Sequence, residues 1–230
     1  MASTTQTFTA TQVLRYFNRV CFDVPKGSAI LPAPTLETLR RLIACHLQVI
    51  PFENLSLHYS THRNVVIEKE FLFEKMINKR KGGYCMEHNT TFATVLRTLG
   101  YTLYTIAARV YLPNDSKSVY AVGLIHMASI VTIDGIEYLV DVGFGGNGLT
   151  APLPIFDGDS IETPINGVLP EEHRVRRVEL SGAFKNGHKS WILERRQDTQ
   201  TEWEPLYVFE KDFEFFPDDY EVYVFFIFDL

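Results

Sequence analysis

Cysteine is scarce in this chain, occurring only as Cys21, Cys45 and Cys85. The count is odd and no spacing resembles a zinc site, which argues against a disulfide framework and a zinc module. The simplest expectation is a cytoplasmic protein whose thiols are free. No apolar run is long enough to cross a bilayer. The first residues, Met1 to Ala10, are Thr-rich and lack the basic-then-apolar order of a secretory signal. Long basic runs are also missing: the net charge is -6 and the pI about 5.7, a balance that disfavours nucleic acid as a partner. The short cluster Lys79-Arg80-Lys81 is the exception, readable either as a solvated helix end or as a charge beside an anionic substrate. There is no internal repeat.

The 230 residues, 46% of them hydrophobic and 13% aromatic, suffice for a sizeable core in one or two domains. The first hundred read as helical. Thr9 or Thr11 caps a helix carrying Val13, Leu14, Tyr16 and Phe17; Thr35 caps a second that ends before Pro51; a third runs from Glu68 to Lys79; a fourth starts near Cys85 and closes at Gly100. From Tyr101 the pattern changes to strands: Tyr101 to Leu112, Val122 to Ile133, Ile136 to Val142, Arg174 to Phe184, Ser190 to Arg195 and Trp203 to Phe209. Asp134-Gly135 and Asn186-Gly187 are hairpin turns, and Gly145 to Pro170 reads as a Pro- and Gly-rich loop. Helices followed by antiparallel strands predict an α+β fold with Cys85 at the seam.

The setting of that cysteine is Lys81-Gly82-Gly83-Tyr84-Cys85-Met86-Glu87-His88-Asn89. Two glycines permit a sharp turn and a close backbone approach. The helical pattern that follows places Cys85 at a helix N-terminus, where unpaired N–H groups and the dipole favour a thiolate. A merely buried thiol needs neither the glycines nor the polar first turn. A nucleophile needs a base, and the base an orienter. His126 lies in the apolar strand Val122 to Ile130, so it is either satisfied in a core or placed for function. Asp141 closes an apolar strand, where Asp is depleted and rarely buried unpaired. Counted from Asp134-Gly135, the two are near neighbours on adjacent antiparallel strands, and a bulge or a diagonal contact would join them.

The stretches Ile50-Pro51-Phe52-Glu53-Asn54-Leu55, Lys81 to Asn89, His126-Met127 and Tyr138 to Gly145 resemble the arylamine N-acetyltransferase family, and Gly145 to Pro154 resembles its fungal members. The resemblance implies a helical bundle (1–100), an antiparallel β-barrel (101–200) and an α/β lid (from 201) around a cysteine-proteinase-like core with a Cys85–His126–Asp141 triad. It implies transfer of an acetyl group from acetyl-CoA, as co-substrate, to an arylamine, hydrazine or arylhydroxylamine. It also implies no metal and no permanently bound cofactor. Ile125 and Phe144 would line the acceptor pocket, and the backbone at Val122 and Gly123 would lie near CoA. Two departures stand out. Lys81 replaces the family's Arg and loses its planar fork. The tail Tyr223 to Leu230, apolar and aromatic, replaces the rest of the lid, so a shortened lid and an aggregation-prone end are expected. Two other readings stay open: an inactive triad-bearing relative with an incomplete CoA site, and a Cys-His-Asp hydrolase. The donor is also open between acetyl-CoA and another short acyl-CoA such as malonyl-CoA.

Overall fold

Helices α1 (Ala10–Val20) and α2 (Leu36–Val49) start at side-chain caps. Thr9 Oγ1 accepts from Gln12 N–H at 3.2 Å while Gln12 Oε1 takes the Thr9 N–H at 2.8 Å, so two orphan donors are satisfied reciprocally. Thr35 caps α2, which ends where Pro51 disfavours a further helical residue. The computed structural model describes residues 7–24, 31–59, 66–112, 120–156, 160–162, 171–179, 189–197, 200–216 and 219–220. The Asn186-Gly187 turn and the tail 223–230 lie outside them.

A short α3 (Leu55–Tyr59) follows Pro51. The segment expected as one helix from Glu68 to Lys79 is α4 (Lys69–Leu72) passing into a π-helical turn over Phe73–Asn78. There Lys79 N–H reaches back five residues to Glu74 O at 2.9 Å. Helix α5 (Cys85–Thr98) is the fourth expected helix, and it starts on the cysteine itself.

Among the described residues the strands form one antiparallel sheet of eight, in the order β4-β3-β2-β1-β8-β7-β6-β5. They are β1 (Thr102–Leu112), β2 (Tyr120–Ile133), β3 (Ile136–Val140), β4 (Leu153–Pro154), β5 (Ser160–Glu162), β6 (Glu172–Glu179), β7 (Lys189–Arg196) and β8 (Glu204–Phe209). Strand β4 approaches β6, so the sheet curls almost into a barrel. β4 and β5 fall in the stretch expected to be loop.

Three apolar clusters follow from this layout. One joins α1, α2 and α5 to the face of β2 and β3 bearing Val131, Ile133, Tyr138 and Val140. A second fills the barrel with Ile106, Ala108, Ala128, Ile130, Leu139 and Tyr207. The third lies at the seam, where Tyr84, Met86, Ala107, Met127 and Tyr220 surround the half-buried Cys85. The segment after β8 is drawn across β1 by the Phe215 N–H, which donates to Thr105 O at 2.8 Å, and this return brings Tyr220 to the seam.

Candidate active site

The turn before Cys85 is held first by backbone bonds. Gly83 N–H donates to Pro51 O at 3.2 Å and Glu53 N–H to Gly83 O at 2.8 Å, a parallel bridge between two loop segments. A Cβ on Gly82 would stand 2.0 Å from Pro51 O, so only glycine fits. Glu87 reaches back to the Tyr84 N–H at 3.1 Å and takes Lys75 Nζ at 2.8 Å on both carboxylate oxygens. Burial raises the pKa of Glu87 while Lys75 and the Tyr84 N–H pull it down. Lys79, by contrast, is exposed and paired with Glu74 at 3.6 Å, an ordinary helix-end charge.

His126 and Asp141 come together diagonally. The β2–β3 register pairs Ser129 with Val140 and Ile133 with Ile136, which puts the residue after Val140 beside Ala128, two positions from His126 on the same face. His126 Nε2 lies 2.6 Å from Asp141 Oδ2. The Cys85 side chain lies near enough to the imidazole to interact with it. The bulge lies on the other edge of β2. Ala108 pairs with His126 but Arg109 with Leu124, so Ile125 is an extra residue without a partner on β1. That residue resets the alternation: His126 faces the barrel beside Tyr207 and Phe144, whereas Leu124 faces the seam beside Cys85. The bulge also presents the Ile125 carbonyl to Cys85 Sγ at 3.6 Å.

Asp141 is fully enclosed. Besides His126 it accepts Asn89 Nδ2 at 2.9 Å and Gly143 N–H at 2.8 Å on Oδ1. Burial pushes its pKa up, but His126 and these donors override it and hold the carboxylate below its usual range. Burial likewise works against the His126 imidazolium, and the Asp141 charge and hydrogen bond, helped by the nearby Cys85, raise its pKa instead. The buried Tyr207 hydroxyl lies beside Asp141 without a well-aligned hydrogen bond.

Of the residues singled out from sequence, Cys85, His126, Asp141, Ile125 and Phe144 converge on one point. The Phe144 ring meets the His126 ring edge-on at 5.2 Å. Gly123 is exposed farther along β2, within a second register slip between the pairs Arg109–Leu124 and Tyr111–Ala121, and Val122 adjoins it on the same strand. Asn89 and Gly143 carry no comparable sequence signal. Asn89 also donates to Met127 O at 2.6 Å and accepts from Val142 N–H at 3.0 Å, so one side chain on α5 fastens both hairpin strands. A Cβ on Gly143 would fall 2.6 Å from Cys85 O and 2.9 Å from Cys85 Cα. Among the described residues no group of His, Cys, Asp and Glu is arranged to hold a metal ion, and no helix is long and apolar enough to cross a membrane.

Comparison with known proteins places the fold. A family model described as N-acetyltransferase matches residues 35–225. An N-malonyltransferase, FDB2, of Fusarium pseudograminearum is 34% identical over 204 residues, covering 82% of this chain and 57% of the relative's length. The arylamine N-acetyltransferase of Mycobacterium abscessus superposes with a TM-score of 0.77 at 27% identity, covering 94% of this chain and 69% of that one. The Mycobacterium marinum enzyme, solved in complex with CoA, does so at 0.74 and 31% identity, covering 94% and 71%. With a family model spanning most of its length and a helices-then-barrel fold shared with solved members, the chain belongs to the arylamine N-acetyltransferase family.

Proposed function

We propose that this protein moves a short acyl group from an acyl-CoA to the amine of an arylamine, hydrazine or arylhydroxylamine through a thioester on Cys85. The observation that carries this reading is the convergence of the Cys85 sulfur, the His126 ring and the buried Asp141 carboxylate. In the first half-reaction the Cys85 sulfur attacks the acyl carbonyl, the C–S bond to CoA breaks, and CoA leaves as its thiol with a proton from the His126 imidazolium. In the second, the amine attacks the Cys85 thioester, His126 takes the amine proton, and the acyl amide leaves. Asp141 keeps the imidazole in the tautomer and orientation that both steps require. The first-turn N–H groups of α5 supply a positive backbone end near the developing oxyanion. Ping-pong kinetics follow from the covalent intermediate.

Ile125, at the bulge beside the sulfur, and Phe144, against the His126 ring, are assigned to the acceptor side. The β2 backbone at Val122 and Gly123 is assigned to the CoA side. The helical block to residue 100 and the strands after it serve as its working parts, and since β8 (Glu204–Phe209) belongs to the sheet, a lid would begin after Phe209 and not at 201. A free Cys85 thiol is required at every turnover, which suits a reducing cytosol. Acetyl-CoA is the first donor to test. Malonyl-CoA is the second, because relatives 31–34% identical are named N-malonyltransferases. The decisive experiment incubates the protein with each acyl-CoA and follows Cys85 by intact mass and peptide mapping. Acylated Cys85 that is discharged by an arylamine is the expected result, with Cys85→Ala as the silent control. Folded protein that never acylates would sink the enzyme reading.

A further inference from the structure

Behind Cys85 runs a buried line of polar groups that the proposed acyl transfer does not use. Tyr16 Oη is 2.9 Å from His46 Nδ1, His46 Nε2 is 2.8 Å from His88 Nδ1, and His88 Nε2 is 3.2 Å from Pro51 O. Tyr16, His46 and His88 are between 0% and 1% exposed. The direction of every bond follows from the last. A carbonyl oxygen only accepts, so His88 carries its proton on Nε2 and leaves Nδ1 bare. His46 must then donate from Nε2, its own Nδ1 is bare, and Tyr16 O–H donates to it. Each ring holds one proton in one tautomer.

The line ends at the nucleophile. Pro51 O receives His88 from one side and the Gly83 N–H from the other, and Gly83 adjoins the Tyr84 cap of α5. His88 also sits one turn along α5 from Cys85, its N–H donating to Tyr84 O at 3.0 Å. Three helices, α1 through Tyr16, α2 through His46 and α5 through His88, are thereby tied to the carbonyl on which the Cys85 turn rests. We propose that Tyr16, His46 and His88 form a one-directional hydrogen-bond relay that positions the Cys85 turn against His126. All three are positioning residues, and the role rests on the acyl-transfer reading above.

The surroundings favour neutral rings. Arg19 on α1 and Lys75 on the π-helical turn are the cations nearby, and Asp141 and Glu87 are the anions; Arg19 is held by Met76 O, Val49 O and Arg80 O, and Lys75 by Glu87. Phe92 meets His46 edge-on, and Phe52 lies over His88 with centroids 6.0 Å apart. Burial drives His46 well below the ordinary imidazole range and His88 down to about 4, against the pull of the Pro51 and Gly83 backbone. A proton added to His88 would set two donors face to face at the His46–His88 contact, and one added to His46 would reverse its bond with the Tyr16 hydroxyl.

The test compares single-turnover acetylation of Cys85 by acetyl-CoA in the parent, His88→Leu, His88→Gln and Tyr16→Phe, with ¹⁵N NMR of the imidazoles. His88→Leu removes the bond to Pro51 and is expected to slow acetylation about ten- to a hundred-fold, with donor affinity unchanged, because a displacement of the order of 1 Å at a reacting atom has that effect. His88→Gln returns an N–H to Pro51 O and is expected to recover most of the rate. In the parent, NMR should show one proton on each ring, on Nε2, and Tyr16→Phe should mix the His46 tautomers. Folded His88→Leu acetylating at the parent rate, a His88→Gln variant no faster than His88→Leu, or a proton on His88 Nδ1 would each overturn the relay. A parent that never acetylates would instead remove the acyl-transfer reading and the positioning role that rests on it, an outcome separate from the variant comparison.

Discussion

Asp141 is a buried carboxylate with three donors upon it: His126, Asn89 and the Gly143 N–H. Its charge is what lets the fully buried His126 keep a proton. A histidine whose pKa is raised in the fold contributes stability that is complete below the ordinary imidazole range near 6.5 and is lost as pH rises through the folded value, about 10. Asp141, held low, contributes above the ordinary carboxylate range and loses that contribution as pH falls. Asp141→Asn keeps the size and removes the charge. Acetylation of Cys85 is expected to fall by about 10³- to 10⁴-fold, as when the orienting acid of a catalytic triad is neutralised. In urea titrations across pH the variant should lose the parent's decline in stability between pH 7 and 10. A parent-like alkaline decline in the variant would place the titrating group elsewhere. The candidate triad was legible because Cys85, His126 and Asp141 each break a local pattern: a glycine turn, an apolar strand, a strand end. Asn89 belongs to the polar start of α5 that set Cys85 apart, but nothing in the sequence says what it bonds, and its threefold grip on the hairpin exists only once α5 and β3 are side by side.

Among the elements, β2 does the most positioning and shows how far sequence can reach. Asp134-Gly135 marked the hairpin and its register, so the meeting of His126 and Asp141 could be read as a diagonal. The bulge at Ile125 was not readable, because an apolar β-branched residue inside an apolar strand gives no sign of lacking a partner. The π-helical turn was hidden for a related reason: Phe73, Met76 and Ile77 are all buried, and their spacing fits an α-helix as well. β4 and β5, two and three residues long, are too short to leave any periodicity. The close approach of the chain after β3 to α5 is testable at Gly143. Its backbone conformation suits alanine, so Gly143→Ala acts through close contacts with Cys85 O, Asn89 Nδ2 and Cys85 Cα, at 2.6, 2.7 and 2.9 Å, and not through backbone strain. Forcing α5 away should cost about 1–3 kcal/mol of stability in denaturant titrations. It should slow acetylation by about a hundred-fold. A variant within twofold of the parent in rate would mean that the helix has room to give.

At the scale of the molecule, helices come first in the chain and strands second, and three apolar clusters bind the two. The third is the smallest and surrounds Cys85, and it is closed from the far end of the described chain by the fully buried Tyr220. Tyr220→Ala would empty a large apolar volume there. The expected loss is about 3–5 kcal/mol in urea unfolding, together with faster alkylation of Cys85 by iodoacetamide. An unchanged alkylation rate would show that the seam does not depend on this side chain. The block order was readable from composition, from the helical spacing before Gly100 and the β-branched, aromatic runs after it. The seam was not, because its members come from α4, α5, β1, β2 and the return segment at once.

The division of the site between those blocks has a consequence for a chain made from its N-terminus. Helices α1 to α5 are synthesised before His126 exists, so the thiol of Cys85 is formed, turned and capped in advance of the group that would put it to work. Asn89 faces no carboxylate, and the Ile125 carbonyl does not shield the sulfur, until the hairpin docks. Completion of the barrel therefore acts as an arming step. A half-made molecule carries Cys85 with neither its proposed base nor its cover, and on the acyl-transfer reading its full reactivity would arrive together with the last contacts that protect it.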